Sequence, residues 1–365
     1  MPFALFIAMS SATLLQAQSS PPSISVFPKV ATDSVKDDAD DPAIWIHPTD
    51  PSKSLIIGTD KGKVDRGFYV WNLRGEQIQY VALARPNNVD VRYGMKLGNR
   101  LVDIAVTNVR HSKEIKIFAI NPADGILTDI TTDAGIKTPE LDEPYGLCLY
   151  QRPSDGAIFV IESSDDELLG ESANSLHQYR LLDDGYGKVK GVYVRTFGQN
   201  TIDSAAEKLV ADDELGFVYA ADEGTAIRKY YADPDQGNNE EIAAFGFDDG
   251  ILGDREGLAI YRSDSKTGYL LVSNQEKGTE FSSIKVYRRE GDDGNPHQHS
   301  LLATINTMGS ADTDGLDVTS RPALPEFPYG FLVKHDAPGR CFKLYSWKEI
   351  AKDHLKIASG DSESP

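Results

Sequence analysis

The amino-acid sequence predicts an all-β fold with the architecture of a six-bladed β-propeller. Three features support this prediction: a strand–loop–strand–turn pattern recurs six times, a short strand with a polar start precedes each copy, and no long amphipathic helix separates the copies. Units of about fifty residues with several short strands each are typical of propeller blades, which surround a central channel. A chain of 365 residues is long enough for one large domain of this kind.

Each repeat contains a hairpin in which an apolar strand crosses a polar loop into an aromatic-rich strand. The alternation of side chains in stretches such as FYVWNL and IKVYRR is typical of β-strands. The hairpins begin at residues 54, 102, 158, 216, 268 and 329. We therefore expect one blade for each hairpin.

A further short strand precedes each hairpin and starts with polar or acidic residues. In chain order these strands read DDPAIWIHP, NNVDVRYGM, DEPYGLCLY, AAEKLVADD, DREGLAIYR and DTDGLDVTS. The first strand of each propeller blade lines the central channel. We therefore expect the acidic strand starts to converge at one mouth of this channel.

The acidic residues at these strand starts are candidate metal ligands. They are Asp40, Asp41, Asp142, Glu143, Glu207, Asp254, Glu256, Asp312 and Asp314. So many carboxylates facing one another cannot all stay ionised without counter-ions. Calcium is a suitable counter-ion, because it takes about six to eight oxygen ligands in flexible geometry. The alternative is that each acid is a solvated loop residue, which suits any one of them better than all of them together.

The balance of charge excludes some classes of partner. With 37 basic and 56 acidic residues, the net charge is −19. This charge argues against nucleic acid and against an anionic membrane as partners. It would also repel an anionic substrate, and bound cations would remove that difficulty. We expect a monomer.

Composition divides the chain into four segments. Residues 1–17 contain the short apolar stretch of a secretory signal peptide, which predicts a secreted or periplasmic protein. A linker over 18–28, a single propeller domain over 29–352 and a flexible tail over 353–365 follow. Cys148 and Cys341 lie in apolar strand-like runs and are expected to be buried small hydrophobes. Whether they form a disulfide stays open.

On these motifs the sequence resembles the β-propeller phytases, which are calcium-dependent phosphatases of myo-inositol hexakisphosphate (phytate). The resemblance runs from about Val26 to about Ile350, with DDPAIWIHP, NNVDVRYG, EPYGLCLY, ADDELGFVYAADEGTAIRKY, DREGLAIY, GYLLVSNQ, DTDGLDV and FPYGFLV in family order. It implies a phosphoric monoester hydrolase of the 3-phytase type. The implied substrate is phytate or calcium-phytate, the implied cofactor is several calcium ions, and the implied nucleophile is water activated by calcium.

The resemblance also implies roles for individual residues. The implied metal ligands are Asp40, Asp41, Glu207, Glu223, Asp254, Glu256, Gln275, Asp312 and Asp314. Glu207 and Asp254 are in addition expected to take part in catalysis. Lys61, Arg110 and Tyr145 are expected to bind the substrate phosphates and to be catalytic.

The sequence departs from the family pattern at two places. Where the family commonly has paired lysines, Lys61 is followed by Gly62, with Lys63 and Arg66 as potential substitutes. A further substrate-binding lysine in the third blade is replaced by the acidic stretch SSDDELLGES. These departures predict altered phosphate affinity or substrate preference rather than a loss of catalysis.

Two other functions remain open from the sequence. One is a calcium-dependent propeller hydrolase that acts on lactones or phosphotriesters, but the many acids together with Lys61 and Arg110 favour an anionic substrate. The other is a non-catalytic propeller that binds a ligand through the same channel, because a fold alone does not establish activity. The RHGxRxP, Cys-x5-Arg and GxxxxGK[ST] motifs of other phosphate chemistries are absent from the sequence.

Overall fold

The computed structural model describes residues 20–63, 66–138, 141, 143–165, 175–199 and 201–358. The expected signal peptide, Asp142 and the last seven residues of the expected tail lie outside these ranges. In the part of the chain that is described, six β-sheets account for nearly all regular structure. The α-helix α1 (Trp347–Ala351) follows the last strand.

The strands are distributed over six blades and a short N-terminal segment. The N-terminal strands are β1 (Ser23–Val26) and β2 (Val30–Ala31). Blade 1 contains β3 (Ala39–Trp45), β4 (Leu55–Asp60), β5 (Gly67–Asn72) and β6 (Gln77–Ala82). Blade 2 contains β7 (Pro86–Leu97), β8 (Arg100–Val109), β9 (Glu114–Ile120), β10 (Leu127–Asp129) and β11 (Ile136–Lys137). Blade 3 contains β12 (Pro144–Gln151), β13 (Ile158–Ser164), β14 (Leu176–Asp183) and β15 (Val189–Phe197).

The remaining three blades follow in the same way. Blade 4 contains β16 (Ala206–Asp212), β17 (Phe217–Asp222), β18 (Ala226–Tyr231) and β19 (Ala243–Phe245). Blade 5 contains β20 (Leu258–Arg262), β21 (Gly268–Asn274), β22 (Ser283–Arg288) and β23 (Leu301–Thr307). Blade 6 contains β24 (Leu316–Thr319), β25 (Phe331–Asp336) and β26 (Cys341–Ser346).

This arrangement confirms the predicted six-bladed propeller. Each hairpin identified in the sequence forms the second and third strands of one blade, and each polar-headed run forms or leads into the first strand. The first strands contact one another in the order β3, β7, β12, β16, β20, β24 and again β3. They therefore form a closed ring around the channel, with blade 1 opposite blade 4.

The N-terminal segment closes the ring. Strand β2 pairs antiparallel with β26 and becomes the outer strand of blade 6, so that this blade is built from both ends of the chain. Strand β1 lies within the segment expected to be a linker, and it pairs in parallel with β23 as a fifth strand of blade 5. Ile24 and Val26 of β1 are buried in the apolar core between blades 5 and 6.

The core is distributed between neighbouring blades rather than gathered at one centre. Among the described residues, one apolar cluster lies between each pair of adjacent blades. Trp347 of the C-terminal helix stacks on Tyr261 of blade 5 with ring centroids 3.6 Å apart. Cys148 and Cys341 are buried and unpaired, so no disulfide joins them.

Carboxylates of the inner strands connect adjacent blades. The first strand of a blade is an edge strand, and its outward N–H groups need acceptors when they are buried. Asp41 accepts a hydrogen bond from the Val89 N–H (3.0 Å), and Asp90 accepts one from the Leu149 N–H (2.7 Å). A third such bond joins Asp317 to Ile44 (2.8 Å). Some of the channel acids therefore have a structural role.

Within the described ranges, none of the helices has the length and apolar character needed to cross a membrane.

The burial of β1 predicts that it contributes to stability. Replacing Ile24 by Ala should lower the free energy of unfolding by about 2–5 kcal/mol, because it leaves a cavity in the core between blades 5 and 6. Phe27, three residues further on, is 66% exposed, so the change Phe27→Ala serves as the control and should have little effect. The measurement is urea unfolding followed by tryptophan fluorescence. Equal effects of the two changes would show that β1 does not belong to the blade.

Candidate functional site

One equivalent position in all six blades builds the mouth of the channel. In each blade this position lies two residues before a residue of the first strand that pairs with the second strand. Glu207, for example, precedes Leu209, which pairs with Ala220, and Glu256 precedes Leu258, which pairs with Val272. The residues at this position are Asp40, Asn87, Tyr145, Glu207, Glu256 and Asp314. Four of the six are acids, so the propeller geometry alone brings these carboxylates to one place.

Lys61 lies at the centre of this acidic group. Its Nζ is 2.6 Å from Asp40 Oδ1, 3.1 Å from Asp314 Oδ2 and 3.5 Å from Glu207 Oε1. Lys61 follows β4 directly, so the end of the second strand of blade 1 delivers the ammonium group to the mouth of the channel. Carboxylates of blades 1, 4 and 6 therefore share one cation.

Gln275 extends the group to blade 5. Its Nε2 donates to Glu256 Oε2 at 2.5 Å and to Asp314 Oδ1 at 2.8 Å. We call Asp40, Glu207, Glu256 and Asp314 the channel-mouth cluster. Among the residues that the structure describes, one ammonium group and one amide link its four carboxylates.

The electrostatics of the cluster show an excess of negative charge. Burial raises the pKa of Asp40 to about 7, against the opposing charge of Lys61. Burial and the neighbouring carboxylates of Glu207 and Asp314 raise the pKa of Glu256 to about 12. Although burial opposes it, the charge of Lys61 holds the pKa of Asp314 at about 2. One lysine cannot keep four buried carboxylates ionised, so a divalent cation would be favoured here.

The donor atoms suit a hard cation such as calcium. Five residues near the mouth have a buried oxygen without a hydrogen-bond donor: Asp40 (Oδ2), Asp41 (Oδ1), Glu223 (Oε1), Gln275 (Oε1) and Asp312 (Oδ1). Oxygen is the ligand atom that calcium prefers. Within the described ranges, no group of three or more His, Cys, Asp or Glu side chains is gathered around a single metal position. The carboxylates turn toward Lys61 and Gln275 instead. The residues therefore fit a hard cation by the kind of donor atom that they supply.

Glu223, Asp254 and Asp312 surround the cluster. Burial raises the pKa of Glu223 to about 7, against a hydrogen bond with Tyr145. Asp254 is partly exposed, its carbonyl accepts from the Gln275 N–H (3.0 Å), and its carboxylate is 3.6 Å from Lys277 Nζ. Asp312 has a positive φ of 50°, a conformation that aspartate tolerates better than most residues.

Arg110 lies on the side of blades 2 and 3. Its Nε donates to Glu143 Oε1 at 2.7 Å, Nη1 donates to Asn87 Oδ1 at 3.2 Å, and Nη2 donates to Asp165 Oδ2 at 3.2 Å. Its guanidinium carbon is 4.8 Å from the ring centroid of Tyr145, within the range of a cation–π contact. Burial and the charges of Glu207 and Glu223 raise the pKa of the Tyr145 phenol, which therefore stays protonated.

The structure gives a physical reason for the missing second lysine. A Cβ atom at Gly62 would lie 2.4 Å from Cβ of Asp37, so a side chain there would require Asp37 to move. Lys63 is exposed, and Arg66 Nη1 is 3.4 Å from His111 Nδ1. Most of the acidic third-blade stretch lies outside the described residues, but Asp165 is described and pairs with Arg110.

Sequence reasoning left the roles of three residues near the cluster unassigned. The ring of His335 is buried and accepts a hydrogen bond from the Asp314 N–H at 3.0 Å, and burial lowers the pKa of His335 to about 4. Asn87 binds Arg110, and Lys208 binds Asp41. Alignment of the six strand starts would have drawn attention to Asn87 and Lys208, whereas His335 has no signal in the local sequence.

A cavity lies further along the channel than the channel-mouth cluster. This cavity of about 510 Å³ is lined by later residues of the inner strands, among them Arg92, Asp213 and Arg262, and by Lys208 and Asp317. None of the channel-mouth cluster lines this cavity. The acidic mouth and this cavity are therefore lined by different residues of the channel.

Comparison with known proteins decides the family. The sequence matches the Phytase family over residues 3–361, nearly its whole length. The chain belongs to the phytase family. The chain is 35% identical over 329 residues to the 3-phytase of Bacillus subtilis (strain 168). The aligned region covers 87% of this chain and 81% of that protein.

The buried acid Glu162, in strand β13, gives a prediction about the pH dependence of stability. Burial raises the pKa of Glu162 from its ordinary value of 4.5 to about 8. The folded state therefore holds a proton that the unfolded state releases. The contribution of Glu162 to stability is complete below pH 4.5 and is lost as the pH rises through about 8.

The change Glu162→Gln should remove this dependence. Relative to the variant, the unmodified protein should lose about 1.4 kcal/mol of unfolding free energy per pH unit between these two pKa values. Urea unfolding at a series of pH values with constant calcium measures this difference. The exposed Glu240→Gln is the control. A difference between Glu162→Gln and the unmodified protein that does not change with pH would contradict the raised pKa.

Proposed function

We propose that this chain is a calcium-dependent phytase that hydrolyses phosphate monoesters of phytate. One observation carries the proposal beyond family membership: carboxylates of four different blades meet at the channel mouth, beside Lys61, with Arg110 and Tyr145 on its rim. A phosphate monoester carries two negative charges near neutral pH. It needs cations at the place where it binds.

The net charge of −19 makes this need acute. Lys61 and Arg110 are both held by carboxylates in the structure, so these two groups alone do not create a positive site. Metal cations bound by the carboxylates would reverse the local sign of the charge and attract the substrate. This reasoning supports several calcium ions rather than one.

The proposed calcium ligands are eight of the nine residues that the family resemblance implies. They are Asp40, Glu207, Glu223, Asp254, Glu256, Gln275, Asp312 and Asp314. When bound, calcium would neutralise the phosphate oxygens and activate the attacking water. Asp41, which the resemblance implies as a ninth ligand, has a different partner and is treated in the next section.

Lys61, Arg110 and Tyr145 are proposed to hold the substrate. The ammonium group of Lys61 sits between the cluster carboxylates and can donate to a phosphate oxygen as well as to them. Arg110 presents a planar fork that suits bidentate phosphate binding, and its contact with the Tyr145 ring fixes the plane of this fork. The protonated Tyr145 hydroxyl can donate a hydrogen bond to a phosphate oxygen. His335 helps to hold Asp314 in place, because its Nδ1 accepts a hydrogen bond from the Asp314 N–H.

The direct test is phosphate release from phytate. Protein stripped with a chelator should release no inorganic phosphate, and added calcium should restore release. Glu207→Gln should lower the calcium-restored rate by about 100-fold or more, because a charged metal ligand at the centre of the cluster is lost. Glu76→Gln, at an exposed position of blade 1, is the matched control and should keep the full rate.

Other outcomes would reject the proposal. Folded protein that releases no phosphate at any calcium concentration would favour a non-catalytic propeller. Hydrolysis of a lactone or a phosphotriester, without release from phytate, would favour the other hydrolase class.

Lys61 is expected to act in both the calcium-free and the substrate-bound protein. Lys61→Met should raise KM for phytate by about 10- to 100-fold, the equivalent of one hydrogen bond to a charged group. It should also lower the melting temperature without calcium, because three carboxylates lose their shared ammonium group. Lys63→Met, at an exposed position nearby, should do neither. An unchanged KM in Lys61→Met would remove Lys61 from the substrate site.

A further inference from the structure

Lys208 occupies a position where three other blades have glycine. The residue directly after the channel-mouth position is Gly146 in blade 3, Gly257 in blade 5 and Gly315 in blade 6. Blade 4 has Lys208 at this position, directly after Glu207. Blades 1 and 2 have Asp41 and Asn88 at this position, so Lys208 is the one cation among the six equivalent residues.

Close packing accounts for the glycines. A Cβ atom at Gly146 would lie 2.3 Å from the Ala206 carbonyl oxygen, and one at Gly315 would lie 2.5 Å from Asp41 Oδ1. These strand starts approach each other too closely for a side chain. The side chain of Lys208 instead reaches across the channel.

The partner of Lys208 is Asp41, on the opposite side of the ring. Lys208 Nζ donates to Asp41 Oδ2, and both side chains are almost completely buried. The same oxygen accepts the Val89 N–H at 3.0 Å. Because blades 1 and 4 face each other, this ion pair spans the channel. Asp90 and Asp317 place further negative charge near Lys208 and favour its charged form.

The ion pair lies directly beneath the channel-mouth cluster. Asp41 follows Asp40 in the chain, and Lys208 follows Glu207. Asp40 and Glu207 are themselves bridged by Lys61. Two links therefore cross the channel one residue apart: Asp40–Lys61–Glu207 and Asp41–Lys208. Lys208 also lines the cavity of about 510 Å³.

We infer that Lys208 is the permanent counter-ion of Asp41 and takes the place that a metal ion would have there. Through this ion pair Lys208 is also a positioning residue for Asp40 and Glu207, which lie on opposite sides of the channel. Asp41 is then not a calcium ligand in this chain. Only the consequence for Asp40 and Glu207 in catalysis rests on the proposed function. The assignment of Asp41 to Lys208 can be tested without turnover.

The first test is the number of calcium ions bound per chain, measured by elemental analysis and by titration against a chelating dye. The full chain and its Asp41→Asn variant should bind the same number of ions. Loss of one bound ion in Asp41→Asn would overturn the inference.

The second test changes the lysine. Without calcium, Lys208→Gly and Lys208→Met should both melt at lower temperature, because a buried carboxylate is left without its cation. Added calcium should recover more of the melting temperature in these variants than in the unmodified chain. Lys229→Met is the matched control: Lys229 is a buried lysine of the same blade whose Nζ donates to the Pro296 carbonyl at 2.6 Å. A fall no larger than that of Lys229→Met would overturn the inference.

A double variant covers the case in which the single variants do not fold. Asp41→Asn combined with Lys208→Met removes both charges and should melt above the less stable of the two single variants. A double variant no more stable than that single variant would show that the two residues are not a pair.

The positioning role has its own readout. With calcium in excess, Lys208→Met should lower kcat for phytate by about tenfold and change KM less than twofold, and Lys208→Arg should restore most of kcat. Changes in melting temperature alone, with kcat unaffected, would overturn the positioning role. If the unmodified chain releases no phosphate, the proposed function fails, while calcium counts and melting temperatures still decide the pairing of Lys208 with Asp41.

Discussion

The convergence of acidic strand starts on a narrow channel is the constraint on which the rest of this structure depends. Closing six blades into a ring places one residue of each inner strand at the same mouth. Four of these residues are acids in this chain, and one ammonium group faces three of them. Buried charge of one sign must be compensated. Much of the surrounding structure supplies that compensation.

The channel acids satisfy this constraint in two ways. Asp90 and Asp317 accept main-chain N–H groups from neighbouring blades, so their charge stabilises the ring. Asp40 has no hydrogen-bond donor on its Oδ2, and Glu223 has none on its Oε1, so these oxygens remain for a cation. Asp41 has features of both groups, because its Oδ2 accepts the Val89 N–H and its Oδ1 has no hydrogen-bond donor. What distinguishes Asp41 from Asp40 is the buried ion pair that Asp41 forms with Lys208.

Much of the fold and of the site could be predicted from the sequence, because both follow from local patterns repeated in register. Alternation marks each strand, and the acid that heads an inner strand is found by its spacing to the next hairpin. Strand β1 has four residues and pairs with a strand near the other end of the chain, so it carries little local signal. The pairing of Lys208 with Asp41 and the contact of His335 with Asp314 also depend on contacts across the ring or between strands. The crowding of Gly62 by Asp37 likewise depends on how the loop folds, which the local sequence does not show.

Glycines and charges act together in this arrangement. Gly146 and Gly315 allow neighbouring strand starts to approach more closely than a side chain would permit. The same close approach leaves room for only a few compensating groups. In blade 4, a lysine at the glycine position adds a cation inside the channel, so part of the compensation is built into the chain itself. The remaining negative charge at the mouth is what calcium is proposed to neutralise.

The central claim is that calcium occupies the channel-mouth cluster and leaves Asp41 to Lys208. Anomalous X-ray diffraction at long wavelength, from crystals of the full chain grown with calcium, tests it most directly because it locates each ion. We expect anomalous peaks within bonding distance of Asp40, Glu207, Glu256 or Asp314, and none at Asp41. Peaks confined to the blade surface, or a peak bound by Asp41 with Lys208 turned away, would contradict the claim.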